Sequence, residues 1–124
     1  MWLRIALVAV GGGIGASTRY LTSLAAGRAF GTGFPAGTLA VNLAGCLLIG
    51  LAFSLTERTI LSSNGRLFFM TGFLGGLTTF STYALETVTN FADGSRNMAL
   101  GNVLLNNGLG LVLVLAGMWL GRTA

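Results

Sequence analysis

Apolar residues run almost unbroken along this chain in four stretches, about 3–25, 36–55, 67–88 and 98–120, and the short segments between them carry the turn formers. Each stretch is long enough for a helix across a hydrocarbon core of roughly 30 Å. The pattern predicts an all-α integral membrane protein with four transmembrane helices, and residues 1–124 as a single transmembrane domain. The first connection holds Gly27, Gly31, Gly33 and the only proline, Pro35, while Ser62-Ser63-Asn64-Gly65 and Asp93-Gly94-Ser95 read as turns. Arg4 followed by apolar residues is also how a secretory signal opens, but the run is long and three similar ones follow it.

The third stretch departs from a simple greasy helix. From Gly72 to Tyr83 it sets Gly72, Gly75 and Gly76 beside the hydroxyls of Thr78, Thr79, Ser81 and Thr82. Irregular backbone at membrane depth is tolerated only where protein buries it or a cavity borders it, so the third helix is expected to break near its middle. Gly75 and Gly76 each weaken a helix by about 1 kcal/mol relative to alanine, and carbonyls freed there could coordinate a cation. By three-and-four spacing Gly72, Gly76, Thr79, Tyr83 and Glu86 share one stripe. The hydroxyls either serve a permeant ion or bond the preceding turn. Phe80 and Tyr83 either pack or present their positive ring edges to a small anion.

Polar and small residues also interrupt the other helices. Gly11-Gly12-Gly13-Ile14-Gly15-Ala16 fits a dinucleotide-binding pattern by coincidence, since no strand precedes it and no acid occurs before Glu57. Gly11 and Gly15 instead form a small-residue pair that lets two helices approach closely in lipid. Arg19, one turn on, is either a snorkelling anchor or a cation facing a water-filled vestibule. In the second helix Thr38, Asn42, Gly45 and Ile49 fall on one stripe. The Asn42 amide needs partners in hydrocarbon, either another helix or a passing anion. Asn102 and Asn106 lie one turn apart in the fourth helix with Asn107 beside them, so three helices carry polar tracks.

Composition agrees with a membrane setting: 53% of residues are hydrophobic and 8% charged. A sequence pI near 10.7 would suggest nucleic acid in a soluble protein. Here the seven basic residues are all arginines, thinly spread and mostly at segment ends, so no nucleic-acid partner is expected. Arg4, Arg58, Arg66 and Arg122 fall with the termini, against Arg28 and Arg96 on the opposite face, with Arg19 if it snorkels there, a narrow bias toward cytoplasmic termini. So small a margin makes insertion in both orientations feasible, and with it an antiparallel homodimer whose two-fold axis lies in the membrane plane. With three acids, no histidine and one cysteine, Cys46, the chain offers no catalytic triad or metal cluster, and it is not expected to be an enzyme.

Gly11 to Tyr20, Gly37 to Gly45 and Gly72 to Tyr83 resemble, in order, the signature blocks of the Fluc (CrcB) family of fluoride channels. The resemblance implies an antiparallel dual-topology homodimer in the bacterial inner membrane, exporting fluoride passively through two pores around a structural Na+ at the dimer centre. By position, Gly75 and Thr78 match the residues whose backbone carbonyls hold that sodium. Asn42 matches the pore asparagine and Phe80 the first pore aromatic. Tyr83 takes the second aromatic place, where the family usually has phenylalanine. Ser81 and Thr82 match the hydroxyls of the polar track, Thr38 belongs to the same stripe as Asn42, Asn106 faces them, and Arg19 resembles a vestibule arginine. The rival reading is a proton-coupled exporter of the small multidrug-resistance type. That mechanism needs a membrane-embedded carboxylate, and the only one within a stretch is Glu86, near the end of the third.

Overall fold

The computed structural model describes residues 1–124 as helices joined by short turns, with no strand. Helix α1 spans Trp2–Phe30, α2 spans Ala36–Glu57, α3 spans 63–77, α4 spans Phe80–Ala92 and α5 spans Arg96–Thr123. Helices α3 and α4 are the halves of the broken third helix, so the chain folds as four helices, the third interrupted. Two of the helices, α2 and α5, are long and apolar enough to cross a membrane unbroken.

The helices outrun the apolar stretches that predict them. Helix α1 continues five residues past Ala25 through Gly27 and Arg28 and stops at Gly31, whose φ of 77° ends it. Helix α3 begins at Ser63, inside the expected turn, because the Ser62 hydroxyl accepts the Gly65 N–H at 3.1 Å and caps the new helix. The Asp93–Ser95 turn passes through Gly94 at φ 86°.

Two parallel pairs make up the scaffold. Helices α1 and α3 meet so closely that a Cβ on Gly11 would collide with the Phe68 carbonyl, and one on Gly15 with the Phe73 carbonyl. From the other side, Gly72 lies against Val8 and Gly76 against Gly12, so a glycine pair on each helix forms the seam. Helices α2 and α5 repeat this with Gly50 against Val114 and Gly117 against Leu47. In lipid, where apolar burial gives little net drive, such close backbone approach is what gains dispersion contacts. Arg58 ties the ends of the second pair together by donating to the carbonyls of Gly121, at 2.8 Å, and Ala124.

Helical geometry widens twice, at Leu67–Leu74 in α3 and Leu105–Leu109 in α5. Such wide turns shift side chains out of simple register and recur at functional sites. A small apolar core of Val41, Leu74 and Leu77 sits between α2 and α3. Outward, Leu111, Val112, Leu115 and Trp119 on α5 are exposed, an apolar face of the kind a bilayer or a partner chain covers.

Candidate functional site

The break falls at Thr78 and Thr79, both extended, with φ/ψ of −84°/155° and −151°/121°. Gly75 and Gly76 themselves stay helical. The reason lies on α2. Thr79 N–H donates to Asn42 Oδ1 at 2.8 Å, and Asn42 Nδ2 donates back to the Thr79 carbonyl at 3.1 Å. One side-chain amide thus satisfies both polar groups of a residue that has left the helix, as a neighbouring strand would. The hydroxyl of Thr79 then caps α4, accepting the Thr82 N–H at 3.3 Å.

These bonds free particular carbonyls. The Gly75 carbonyl loses its usual partner, since the N–H four residues on, that of Thr79, is held by Asn42. The Thr78 carbonyl loses the Thr82 N–H to the Thr79 hydroxyl. Gly76 differs: its carbonyl accepts Arg19 Nε at 3.1 Å. Arg19 therefore reaches across the glycine seam and holds the end of α3.

Asn42 is one link in a run of amides. Its Nδ2 also donates to Asn106 Oδ1 at 2.9 Å, Asn106 Nδ2 donates to the Asn102 carbonyl and Oδ1, and Asn102 Nδ2 donates to Thr87 Oγ1 at 2.9 Å. Thr87 donates to the Tyr83 carbonyl at 2.8 Å. Asn102 is fully buried, at 0% exposure, and every polar atom of its side chain is bonded, as burial requires. The chain runs from the break on α3 through α2 and α5 to α4, and fixes four elements around one opening.

That opening is a cavity of about 350 Å³ beside the break. Asn42, Phe80, Tyr83 and Asn106 line it, together with Gly45, Ile49, Thr78, Thr79 and Gly75. The rings of Phe80 and Tyr83 meet edge to face, 5.5 Å between centroids and 67° apart, an arrangement favoured by the aromatic quadrupole. Phe80 is 77% exposed whereas Tyr83 is buried. Cys46, Met70 and Asn107 also line the cavity, Cys46 and Met70 carrying no polar signal in the sequence and Asn107 lying on the wide turn at Leu105–Leu109.

The other candidates lie elsewhere. Thr38 is buried and donates to Glu86 Oε1 at 2.7 Å, at a second cavity of about 250 Å³ that also takes in Ser23, Thr32 and Asn90. Thr82 accepts the Thr79 hydroxyl at 3.1 Å, and Ser81 is exposed next to it. The expected stripe from Gly72 to Glu86 is not continuous. Gly72 and Gly76 face α1, while Thr79 and Tyr83 face the cavity, because helical spacing does not carry through two extended residues.

The family model described as "CrcB-like protein, Camphor Resistance (CrcB)" matches residues 6–118. A fluoride-specific ion channel FluC of Clostridium perfringens is 45% identical over 118 residues, covering 94% of this chain and 91% of that protein. Proteins of the same name from Chelativorans and Agrobacterium fabrum are each 44% identical, covering 94% and 97% of this chain and equal shares of their own length.

Proposed function

The chain belongs to the CrcB-like family, and from that premise we propose that it is a fluoride-selective channel that lets cytoplasmic fluoride leave the cell passively. The observation that carries the proposal is the mid-membrane cavity at the Thr78–Thr79 break, with the edge-to-face Phe80–Tyr83 pair in its wall. A permeant anion must exchange its hydration shell for donors and positive ring edges, and the break brings both to one place.

Fluoride enters cells as the neutral acid and ionises in near-neutral cytoplasm. A potential negative inside then drives an anion outward with about 2.3 kcal/mol per 100 mV, so a selective pore needs no other energy source. The pathway runs along the cavity past Asn42, Asn106, Phe80 and Tyr83, then by Ser81 and Thr82 toward Thr38, with Arg19 near the break. Asn42 acts chiefly by fixing the opening, since its amide hydrogens are held by Thr79 and Asn106.

Four helices enclose only part of such a path, and Phe80 and Gly75 are exposed on this chain. We therefore propose an antiparallel dual-topology homodimer, spanning the inner membrane, in which a second copy covers that face. The freed carbonyls of Gly75 and Thr78 suit a hard cation with oxygen ligands, and Na+ between the two copies would take both pairs. Bound there, such an ion supplies positive charge that offsets clustered carbonyl oxygens and joins the protomers.

Purified protein in liposomes loaded with fluoride or chloride tests the function. Fluoride should leak while chloride stays; equal leakage of both, or none of either, refutes a selective channel.

A further inference from the structure

We infer that the Tyr83 hydroxyl is a hydrogen-bond donor to the permeating anion, with Asn107 as the residue that positions it. This rests on the channel reading and specifies one of its contacts.

The cavity wall offers few free donors. Both amide hydrogens of Asn42 are engaged, by the Thr79 carbonyl and Asn106, and both of Asn106 by Asn102. The Thr78 hydroxyl donates to the Leu74 carbonyl at 3.0 Å, and the Thr79 hydroxyl to Thr82. Asn107 Nδ2 donates to the Val103 carbonyl at 2.9 Å and to Tyr83 Oη at 2.8 Å. Tyr83 Oη is thus an acceptor, and its own O–H has no acceptor in the protein. Among the side-chain amide and hydroxyl hydrogens of the residues lining this cavity, it alone is uncommitted.

Geometry and chemistry agree on its use. The ring is 8% exposed and held against Phe80 at 67°, so the hydroxyl is fixed at the aromatic pair rather than swinging on a loose side chain. Asn107 occupies one lone pair of the oxygen, which leaves the O–H to rotate toward a partner in the cavity. A hydroxyl that accepts one hydrogen bond donates a stronger one, because the two polarise each other. A small, hard anion gains most from such a donor, and a phenylalanine in this place would offer only its edge.

The test compares wild type, Tyr83→Phe and Asn107→Ala in liposome efflux, alongside near-UV difference spectra of the detergent-solubilised dimer titrated with sodium fluoride or sodium chloride. Tyr83→Phe should slow fluoride efflux about tenfold, the effect of removing one hydrogen bond to a charged group, with chloride still retained. Fluoride, and not chloride, should perturb the tyrosine band of wild type, and the perturbation should vanish in Tyr83→Phe although Tyr20 remains. Asn107→Ala should retain the perturbation at higher fluoride concentration. Wild-type flux with unchanged flux in Tyr83→Phe overturns the donor role and leaves the channel standing. Absence of wild-type flux overturns the channel instead. Should Tyr83→Phe fail to assemble, the wild-type spectrum decides alone, and no fluoride-specific change overturns the role.

Discussion

Asn42 and Thr79 are joined by two hydrogen bonds of opposite direction, Thr79 N–H to Oδ1 at 2.8 Å and Nδ2–H to the Thr79 carbonyl at 3.1 Å. The pair explains how a chain leaves helical geometry where no water is available to compensate it. A residue from another helix takes over the work of the missing ladder.

Replacing Asn42 with leucine should therefore do more than remove a polar contact. It strands two backbone groups, and at about 1–3 kcal/mol each the loss rivals the stability of a small domain. Thermal unfolding in detergent should show a marked drop, with fluoride efflux abolished. Asn42→Asp keeps the acceptor for Thr79 N–H but sets an oxygen against the Thr79 carbonyl and Asn106 Oδ1, and should destabilise as well. An Asn42→Leu protein as stable as wild type would show that the break stands without its brace.

The glycines of α1 separate by what faces them. Gly15→Ala drives a methyl group into the Phe73 carbonyl and should cost about 1–3 kcal/mol, as overpacking does. Gly13 faces open space, and Gly13→Ala should be neutral or gain up to about 1 kcal/mol from helix propensity. Melting curves of the two variants should fall on opposite sides of wild type, or nearly so. Equal effects would mean that the seam is looser than described.

Cys46 is the only cysteine and lines the large cavity. A small methanethiosulfonate reagent attached there occupies space beside Asn42 and should cut fluoride efflux severalfold, while Cys46→Ala should conduct and resist the reagent. Mass spectrometry establishes whether the thiol has reacted. A fully modified protein conducting at the normal rate would place the pathway elsewhere.

Sodium linkage provides a fourth test. If the Gly75 and Thr78 carbonyls hold Na+ between two copies, sodium at a hundred times its dissociation constant adds about 2.7 kcal/mol to the assembled state. Exchange into N-methylglucamine should lower the melting temperature and favour monomer on size exclusion, and returned sodium should reverse both. Identical behaviour in the two salts would leave those carbonyls without the proposed ion.

The glycine seam and the broken third helix were legible from the chain because each depends on local features, Gly11 with Gly15 and the cluster at Gly72–Thr82. Which residues of that cluster would leave the helix was not. Gly75 and Gly76 mark where a helix is weak, yet the chain leaves helical geometry at Thr78, just beyond them, because Asn42, distant in sequence, captures Thr79. The Tyr83–Asn107 bond was equally hidden. It depends on the wide turn at Leu105–Leu109, which three-and-four spacing does not anticipate. Asn42 read alone left two uses open, an interhelical bond or an anion donor, and only its partners distinguish them.

The interruption at Thr78–Thr79 also places two helix ends of opposite polarity within a few residues of each other. Helix α3 finishes on carbonyls and α4 starts on N–H groups, each end carrying roughly half an elementary charge from the aligned peptide dipoles. In a continuous helix these ends would lie at the two membrane surfaces, screened by water. Brought together mid-membrane, they make one backbone feature attractive to a cation on its upstream side and to an anion on its downstream side.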